Sequence, residues 1–382
     1  MSGGVKSVCS WKNEGGVHVF AASKDGHWRM WNAVSWQLEQ DVDMEGEVQC
    51  LTVDNGFLMC GYEGTTPKLP GVKVGCVRAW NLSNPAAVYD FCMSAESMPF
   101  AHLQRVYCVT MRVAAATATA AATLEVFSGG HEGMIHCWHL AADASAFSLV
   151  ARLEGHVLGV TCCKLFQSGG QNYLISGSVD RTVRIWSVDS PGRECCCLLS
   201  AQNEGHSDAL TALATLQMGD ANYFISASMD STFKVWNSTG TCEFTHKSSS
   251  PVLTVEATTE LSGKALVLTG LLDGTIELRQ PECGFRLRAT LSSQFTVGHQ
   301  HGEALSTTPH QNTHTHTHSR RLFWRRTSRL SRATLFPPRI SSSLSFSSRR
   351  RRVSPSTRAQ PLSLSLSLSK SPPPPSLSFR AL

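Results

Sequence analysis

One repeated pattern constrains the fold of this chain more than any other feature: an acidic residue followed six positions later by tryptophan. The pairs with this spacing are Asp25–Trp31, Glu132–Trp138, Asp180–Trp186 and Asp230–Trp236. In a weaker copy Asp273 precedes Arg279 at the same spacing, and the segment VKVGCVRAW ends at Trp80 without the acid. The six anchor positions are separated by 49, 58, 48, 50 and 43 residues. A recurrence of this size indicates an array of repeated supersecondary units.

Each unit is predicted to consist of short antiparallel strands. Tyr173–Ser178 is an apolar run, Asp180 and Arg181 form a tight turn, and residues 182–186 (TVRIW) alternate between apolar and polar side chains. A Gly-His pair precedes this hairpin, with His156 thirty residues before Trp186. The next unit repeats the spacing between His206 and Trp236. Two matching four-point patterns indicate one structural unit used twice.

The Gly-His pair, the Ser-x-Asp triplet and the terminal Trp resemble those of the WD40 repeat family, over residues 5–292 and most strongly over 150–240. The resemblance implies an all-β propeller with six recognisable blades and a seventh that is lost or incomplete. Closure with six blades is the alternative. In that family the four residues form a hydrogen-bonded chain within a blade. Carried over to this sequence, the chain comprises His156, Ser176, Asp180, Trp186, His206, Ser226, Asp230 and Trp236.

The copies are most similar to a plant-type subgroup in which a CCCH zinc finger precedes the WD repeats. The segments that carry this likeness are GEVQCL near Gly46, the strand ending in VRAWN, and TLSSQFTVGH at 290–299. A CCCH finger needs three cysteines and one histidine closely spaced around zinc. The sequence contains no such segment, so we expect no metal site and no cofactor, and a chain that begins after the finger or never had one.

The last 84 residues differ in composition from the rest, so we divide the chain into a propeller (1–298) and a tail (299–382). The tail holds 14 Lys and Arg against one acidic residue, whereas the remainder holds 20 basic and 28 acidic residues. Runs such as THTHTH, LSLSLSLS and PPPP cannot pack a core, which predicts disorder. Alternating Thr-His and Leu-Ser are what dinucleotide repeats encode, so translated non-coding sequence is one interpretation. The other is a basic arm that binds RNA or directs nuclear import.

The sequence contains no motif of a known catalytic site, such as GxGxxG, GxxxxGK[ST], HExxH or GxSxG. We therefore predict a non-catalytic scaffold for protein partners, with RNA-associated binding as the alternative and no small-molecule substrate. In the WD40 family the residue just before the turn acid often contacts the partner. The corresponding positions here, with Arg181 just after the acid, are Lys24, His131, Val179, Arg181, Met229 and Leu272. Ordinary solvent-facing turn residues are the other interpretation of this set.

The cysteines and the apolar runs indicate an intracellular protein, cytoplasmic or nuclear. The 14 cysteines are scattered through β-like segments, which suits a reducing compartment better than a disulfide framework. The N-terminus has no apolar core of a signal peptide. Residues 109–127 are mostly Ala and Thr and include Arg112 and Glu125, so we predict a strand with a low-complexity insertion there rather than a membrane helix.

Overall fold

The computed structural model describes residues 4–13, 15–67, 69–93, 100–114, 123–141, 145–190, 192–260 and 263–292. These residues form 24 β-strands and two 3₁₀ turns, Ala201–Asn203 and Pro281–Cys283. No helix within these ranges has the length or the apolar character needed to span a bilayer. The predicted all-β class is confirmed. The predicted tail, residues 299–382, lies outside the described residues.

The strands form six four-stranded antiparallel sheets, and in each sheet the strands are neighbours in chain order. We call these sheets blades 1 to 6. Blade 1 comprises β1 Val5–Asn13, β2 Gly16–Ser23, β3 His27–Asn32 and β4 Leu38–Asp43. Blade 2 comprises β5 Glu47–Asp54, β6 Phe57–Thr66, β7 Leu69–Asn81 and β8 Asn84–Asp90. Blade 3 comprises β9 Val106–Ala114, β10 Thr123–Gly130, β11 Ile135–Leu140 and β12 Phe147–Leu153.

The second half of the chain repeats this arrangement. Blade 4 comprises β13 Val160–Ser168, β14 Gln171–Ser178, β15 Val183–Ser187 and β16 Cys195–Leu199. Blade 5 comprises β17 Leu210–Met218, β18 Ala221–Ser228, β19 Thr232–Trp236 and β20 Cys242–Lys247. Blade 6 comprises β21 Val252–Thr259, β22 Ala265–Leu271, β23 Thr275–Gln280 and β24 Arg286–Ser292. All six anchors found in the sequence lie on the third strand of a blade, so the prediction of six blades is confirmed.

The blades surround a central channel and bury their apolar side chains against one another. The first strand of every blade lines a single cavity of about 540 Å³. Five clusters of buried side chains fill the spaces between consecutive blades, from blades 1 and 2 to blades 5 and 6. Both faces of a blade carry apolar side chains, so each blade buries one face against the preceding blade and the other against the following blade. The core of the molecule therefore lies between the sheets.

Two segments differ in detail from the sequence-based interpretation. The sequence of residues 62–73, YEGTTPKLPGVK, is typical of a Pro/Gly loop that interrupts a hairpin, but β6 and β7 continue through most of this segment, with Thr66 opposite Leu69. Residues 109–127 contain parts of two strands, β9 and β10, which pair antiparallel as a hairpin. The undescribed residues 115–122 lie between the two strands in the sequence. A strand with an insertion was therefore an incomplete description of a hairpin.

Candidate functional site

Blade 4 contains a buried chain of hydrogen bonds that begins at the turn acid. His156 Nδ1 lies 2.9 Å from Asp180 Oδ2, and His156 Nε2 lies 2.7 Å from Ser176 Oγ. The Trp186 indole N–H donates to the same hydroxyl oxygen at 2.8 Å. The His156 side chain is fully buried, so these partners satisfy polar atoms that have no access to water. The network fixes the loop before β13 to the hairpin of β14 and β15.

Blade 5 repeats this network with nearly identical geometry. His206 lies 2.9 Å from Asp230 Oδ2 and 2.8 Å from Ser226 Oγ, and Trp236 donates to Ser226 at 2.8 Å. A histidine beside a carboxylate resembles a catalytic pair. Its recurrence in consecutive blades, buried and fully hydrogen-bonded, instead favours a structural role.

A threonine that the sequence analysis did not single out completes both networks. Thr182 Oγ1 donates to Asp180 Oδ1 at 2.6 Å, and Thr232 Oγ1 donates to Asp230 Oδ1 at the same distance. Each threonine lies two residues after the turn acid, so the triplet Asp-x-Thr was the signal available in the sequence.

These contacts determine the charge state of the two turn acids. Burial raises the pKa of the Asp180 carboxyl, but the hydrogen bonds from His156 and Thr182 outweigh burial and hold that pKa well below its ordinary value. The pKa of Asp230 is lowered in the same way by His206 and Thr232. Both turns therefore keep an ionised carboxylate that accepts hydrogen bonds at neutral pH.

A third network, in blade 3, was not predicted. His102 Nε2 lies 2.7 Å from Ser128 Oγ, Trp138 donates to Ser128 at 2.9 Å, and His102 Nδ1 lies 2.5 Å from Glu132 Oε1. The network was predicted for blades 4 and 5 alone, because the other units lack one or more of its four members. The usable signal was Ser128, ten residues before Trp138, as in the two other networks.

The position of His102 is fixed by close contact between the backbone of its loop and the backbone of β7. Gly75 in β7 exchanges backbone hydrogen bonds of 2.9 Å with His102, and a Cβ at position 75 would collide with the carbonyl oxygen of Gln104. Glycine is therefore required where the linker between blades 2 and 3 crosses β7. The same linker buries Phe100 and, in part, Met93.

Among the described residues, two side-chain clusters contain enough ligand-type residues to hold a metal ion, but their geometry argues against one. His102 and His136 stack with ring centroids 4.2 Å apart and an interplanar angle of 12°. Their nitrogen lone pairs therefore lie in separate parallel planes, and one ion beside Glu132 could not lie in both. Glu125 faces the guanidinium groups of Arg112 and Arg193 at 2.6 and 2.7 Å, which would repel a cation.

The turn acids lie on one end of the propeller, which we call the acid-turn face. It consists of the acid turns and the loops that precede the first strands. The residues before the acids donate backbone hydrogen bonds of 2.9 to 3.0 Å to those loops. The residues that make this hydrogen bond are Lys24, His131, Val179, Met229 and Leu272. Val179 and Met229 are half-buried, and the other three are exposed. Arg181, just after the acid of blade 4, is exposed with φ of 71°.

The acid-turn face also exposes aliphatic side chains that the sequence analysis missed. Leu103 and Val157, each directly after a network histidine, are 59% and 79% exposed, and Leu158 is exposed beside them. Gly159 packs against the backbone of His131 and the ring of Tyr107, so the loop of blade 4 adjoins the turn of blade 3. We call Val157, Leu158 and the adjoining His131 the apolar patch.

Comparisons with known proteins agree with the sequence-based resemblance. Residues 147–187 and 196–237 match the family model for the WD domain, G-beta repeat. The chain is 27% identical over 179 residues to zinc finger CCCH domain-containing protein 62 of Arabidopsis thaliana, covering 46% of this chain and 35% of that protein. It is 29% identical over 160 residues to an uncharacterized WD repeat-containing protein of Schizosaccharomyces pombe, covering 40% and 24%. The predicted resemblance is confirmed.

A shorter match concerns a protein named for ribosome biogenesis. The chain is 31% identical over 61 residues to ribosome biogenesis protein YTM1 of Ajellomyces capsulatus (strain NAm1 / WU24), which covers 16% of this chain and 12% of that protein. The chain spans 31–35% of the length of three CCCH relatives that it matches. Each match is therefore a likeness over part of a longer protein.

Proposed function

We propose that this chain, a WD40-repeat β-propeller, is a non-catalytic scaffold that binds protein partners through its acid-turn face. WD40 propellers are typically protein-interaction scaffolds. A rigid array of sheets carrying variable loops suits this role, because the loops are held in place before a partner arrives. The proposal concerns this chain and not the whole of its longer relatives.

The observation that carries the proposal is the apolar patch. Scattered single aliphatic residues on a surface are normal, but a contiguous group rimmed by polar residues indicates an interaction site. Val157 and Leu158 lie on one loop, and His131 adjoins that loop across the boundary between blades 3 and 4. Arg181 and Val179 belong to the next turn of the same face and extend the surface on blade 4.

The hydrogen-bond network holds the patch in one conformation. The backbone N–H of Val157 donates to Asp180 Oδ2 at 3.1 Å, and Ser178 Oγ donates to the carbonyl of Leu158 at 2.9 Å. The loop that presents both side chains is therefore tied to the blade from two sides. A loop ordered in advance loses less conformational entropy when a partner binds.

Affinity purification of the full chain from its native cells tests this proposal. We expect Val157→Asp and Leu158→Asp to lose partner proteins that the wild type retains, while the thermal midpoint stays unchanged. Val150→Asp is the matched control, because Val150 is an exposed aliphatic residue on the outer strand of blade 3. Recovery of the same partners by all four proteins would contradict the proposal.

Association with RNA through residues 299–382 is the second candidate. Its support is the excess of 14 basic residues over one acidic residue in that segment and the partial likeness to a protein named for ribosome biogenesis. Binding through phosphate contacts weakens steeply as salt rises, because condensed counterions are released. Polarisation of a labelled RNA 20-mer at two salt concentrations, with and without residues 299–382, tests it. Salt-independent binding, or binding that survives the deletion, would contradict it.

We also propose an intracellular location, in the cytoplasm or the nucleus. All 14 cysteines are free thiols, and six of them are buried between strands. Thiols in such numbers persist in a reducing compartment. Imaging of a tagged full chain in its native cells would test this, and secretion of the tagged chain would contradict it.

A further inference from the structure

The first strand of each blade carries two apolar positions that pack against the preceding blade. They flank the bulge that begins the pairing of first and second strands. The earlier position is at most 1% exposed in Val48, Val106, Val160, Leu210 and Val252. In blade 1 the equivalent residue, Val5, is 54% exposed. The later position is buried in blades 2 to 6, but in blade 1 it is Val8, which is 61% exposed.

In blade 6, a residue that is buried in the other blades is likewise exposed, on the face that would meet a following blade. The third strand of each blade carries an apolar residue that packs against the following blade. This residue is at most 2% exposed in Trp28, Val77, Ile135, Val183 and Phe233. In blade 6 the equivalent residue, Ile276, is 42% exposed. Its partner on the outer strand, Leu291, is exposed as well, and so is Leu287.

These residues define an open cleft between the last blade and the first, lined by Val5 and Val8 on one side and by Ile276, Leu287 and Leu291 on the other. We call it the 6–1 cleft. Within the described ranges, buried clusters fill the spaces between consecutive blades from 1 to 6, and none joins blade 6 to blade 1. Both walls carry the side chains of a blade interface, and no blade among the described residues covers them.

We propose that the 6–1 cleft is a docking site for a four-stranded antiparallel β-sheet contributed by a partner protein. At each interface inside the chain, a sheet of this kind covers the equivalent residues. The cleft continues that interface on both sides. The donated sheet would carry aliphatic residues on its first strand, to pack on Ile276 and Leu291, and a large apolar residue on its third strand, to pack on Val5 and Val8.

The chemistry of the walls favours this occupant over two others. The five side chains that define the cleft are aliphatic, which fits the apolar face of a sheet better than the phosphate backbone of a nucleic acid. A second copy of the chain presents its end blades attached to a whole ring. It could cover one wall of the cleft but not both at once. The site is separate from the acid-turn face, so failure of either proposal leaves the other standing.

The first experiment supplies a sheet of known sequence. A copy of residues 205–247, which contain blade 5 and its preceding loop, is inserted after Ser292 of the full chain. We expect the thermal midpoint to rise by more than about 5 °C, because the apolar walls become buried. Carbene footprinting should show that Val8 and Ile276 lose labelling. The same insertion with Val8→Asp and Ile276→Asp is the control and should give no rise. An unchanged midpoint with undiminished labelling would overturn the proposal.

The second experiment asks whether the cleft is vacant in the unaltered full chain. We expect Val8 and Ile276 to be labelled as readily as the exposed Val157, at low and at high protein concentration. Protection at both concentrations would mean that the chain covers its own cleft, and protection at high concentration alone would mean that a second copy does. Either result would overturn docking of a partner.

The third experiment identifies the source of the sheet. A photoreactive phenylalanine analogue replaces Val8 in the full chain, and crosslinking is carried out in native cells. We expect adducts to a β-sheet segment of another protein, lost when Ile276→Asp is added. Adducts to peptides of this chain alone would overturn the proposal.

Discussion

The indole N–H of Trp138 donates to the hydroxyl oxygen of Ser128 at 2.9 Å, from the strand adjacent to that serine and ten residues along the chain. The same relationship joins Trp186 to Ser176 and Trp236 to Ser226, both at 2.8 Å. In each case a buried histidine bonds the serine from the other side. In three consecutive blades, one serine hydroxyl therefore connects the third strand of the blade to the loop that precedes its first strand.

Removal of this hydroxyl should destabilise the propeller. In Ser176→Ala, the ring nitrogen of His156 and the indole N–H of Trp186 both lose their partner inside the core. An unsatisfied buried polar group costs about 1–3 kcal/mol, so we expect the free energy of unfolding to fall by about that amount or more. Urea denaturation measures it. Ser207→Ala, at an exposed position, is the control, and equal stability of the two variants would contradict the role assigned to the network.

The contrast between His102 and His156 explains how far the sequence could predict these networks. Ser128 and Trp138 lie on one hairpin, whose register fixes their spacing at ten residues. The histidine lies before the first strand, and the number of residues between it and the tryptophan depends on hairpin length, thirty in blades 4 and 5 but 36 in blade 3. Spacing within a hairpin is thus set by geometry, whereas spacing across a loop is free to vary.

The 6–1 cleft could not be predicted from local sequence for a related reason. Val5 and Val48 occupy equivalent positions in similar strands, and nothing in either segment distinguishes them. One is exposed and the other is buried because a blade precedes β5 and none precedes β1 within the described residues. Periodicity identifies the face of a strand, but the neighbouring blade decides whether that face is covered.

Arg279 replaces the anchor tryptophan in blade 6 with a buried ion pair. Its Nη2 lies 2.9 Å from Glu277 Oε2, and its Nη1 donates to the carbonyl of Phe285 at 3.2 Å. Arg279→Ala would leave the Glu277 carboxylate buried without its cation, so we expect a loss of about 3–5 kcal/mol in the free energy of unfolding. The double variant Arg279→Met with Glu277→Leu should recover most of it. A double variant less stable than Arg279→Ala would contradict this account.

Ser231 offers a substitution that should stabilise the protein. The residue after the turn acid has positive φ in blades 1 and 3 to 6, and it is glycine at positions 26, 133 and 274. Ser231 adopts φ of 66° at this position, which strains a residue with a Cβ. We expect Ser231→Gly to raise the free energy of unfolding by about 0.5–1 kcal/mol, since relief of strain exceeds the entropy that glycine gains in the unfolded chain. Ser207→Gly, outside a left-handed turn, should lower it.

His136 should make stability depend on pH in a specific window. Burial and the neighbouring His102 lower the pKa of His136 to about 4, and its Nδ1 donates to the carbonyl of Ala101 at 2.8 Å. In the unfolded chain the pKa returns to about 6.5. Between these two values the unfolded state binds a proton that the folded state does not, so stability falls as pH decreases from about 6.5 to about 4.

The contribution of His136 can be isolated by comparing variants at two pH values. At pH 5 the wild type should have lost about 2 kcal/mol relative to pH 7 that His136→Gln does not lose, measured by urea denaturation. His131→Gln, at an exposed histidine of the acid-turn face, is the matched histidine-to-glutamine control. The comparison bears on the site, since His136 stacks on the network histidine of blade 3, His102. Parallel slopes for wild type and His136→Gln would mean that folding does not lower the pKa of His136, and this account would then be wrong.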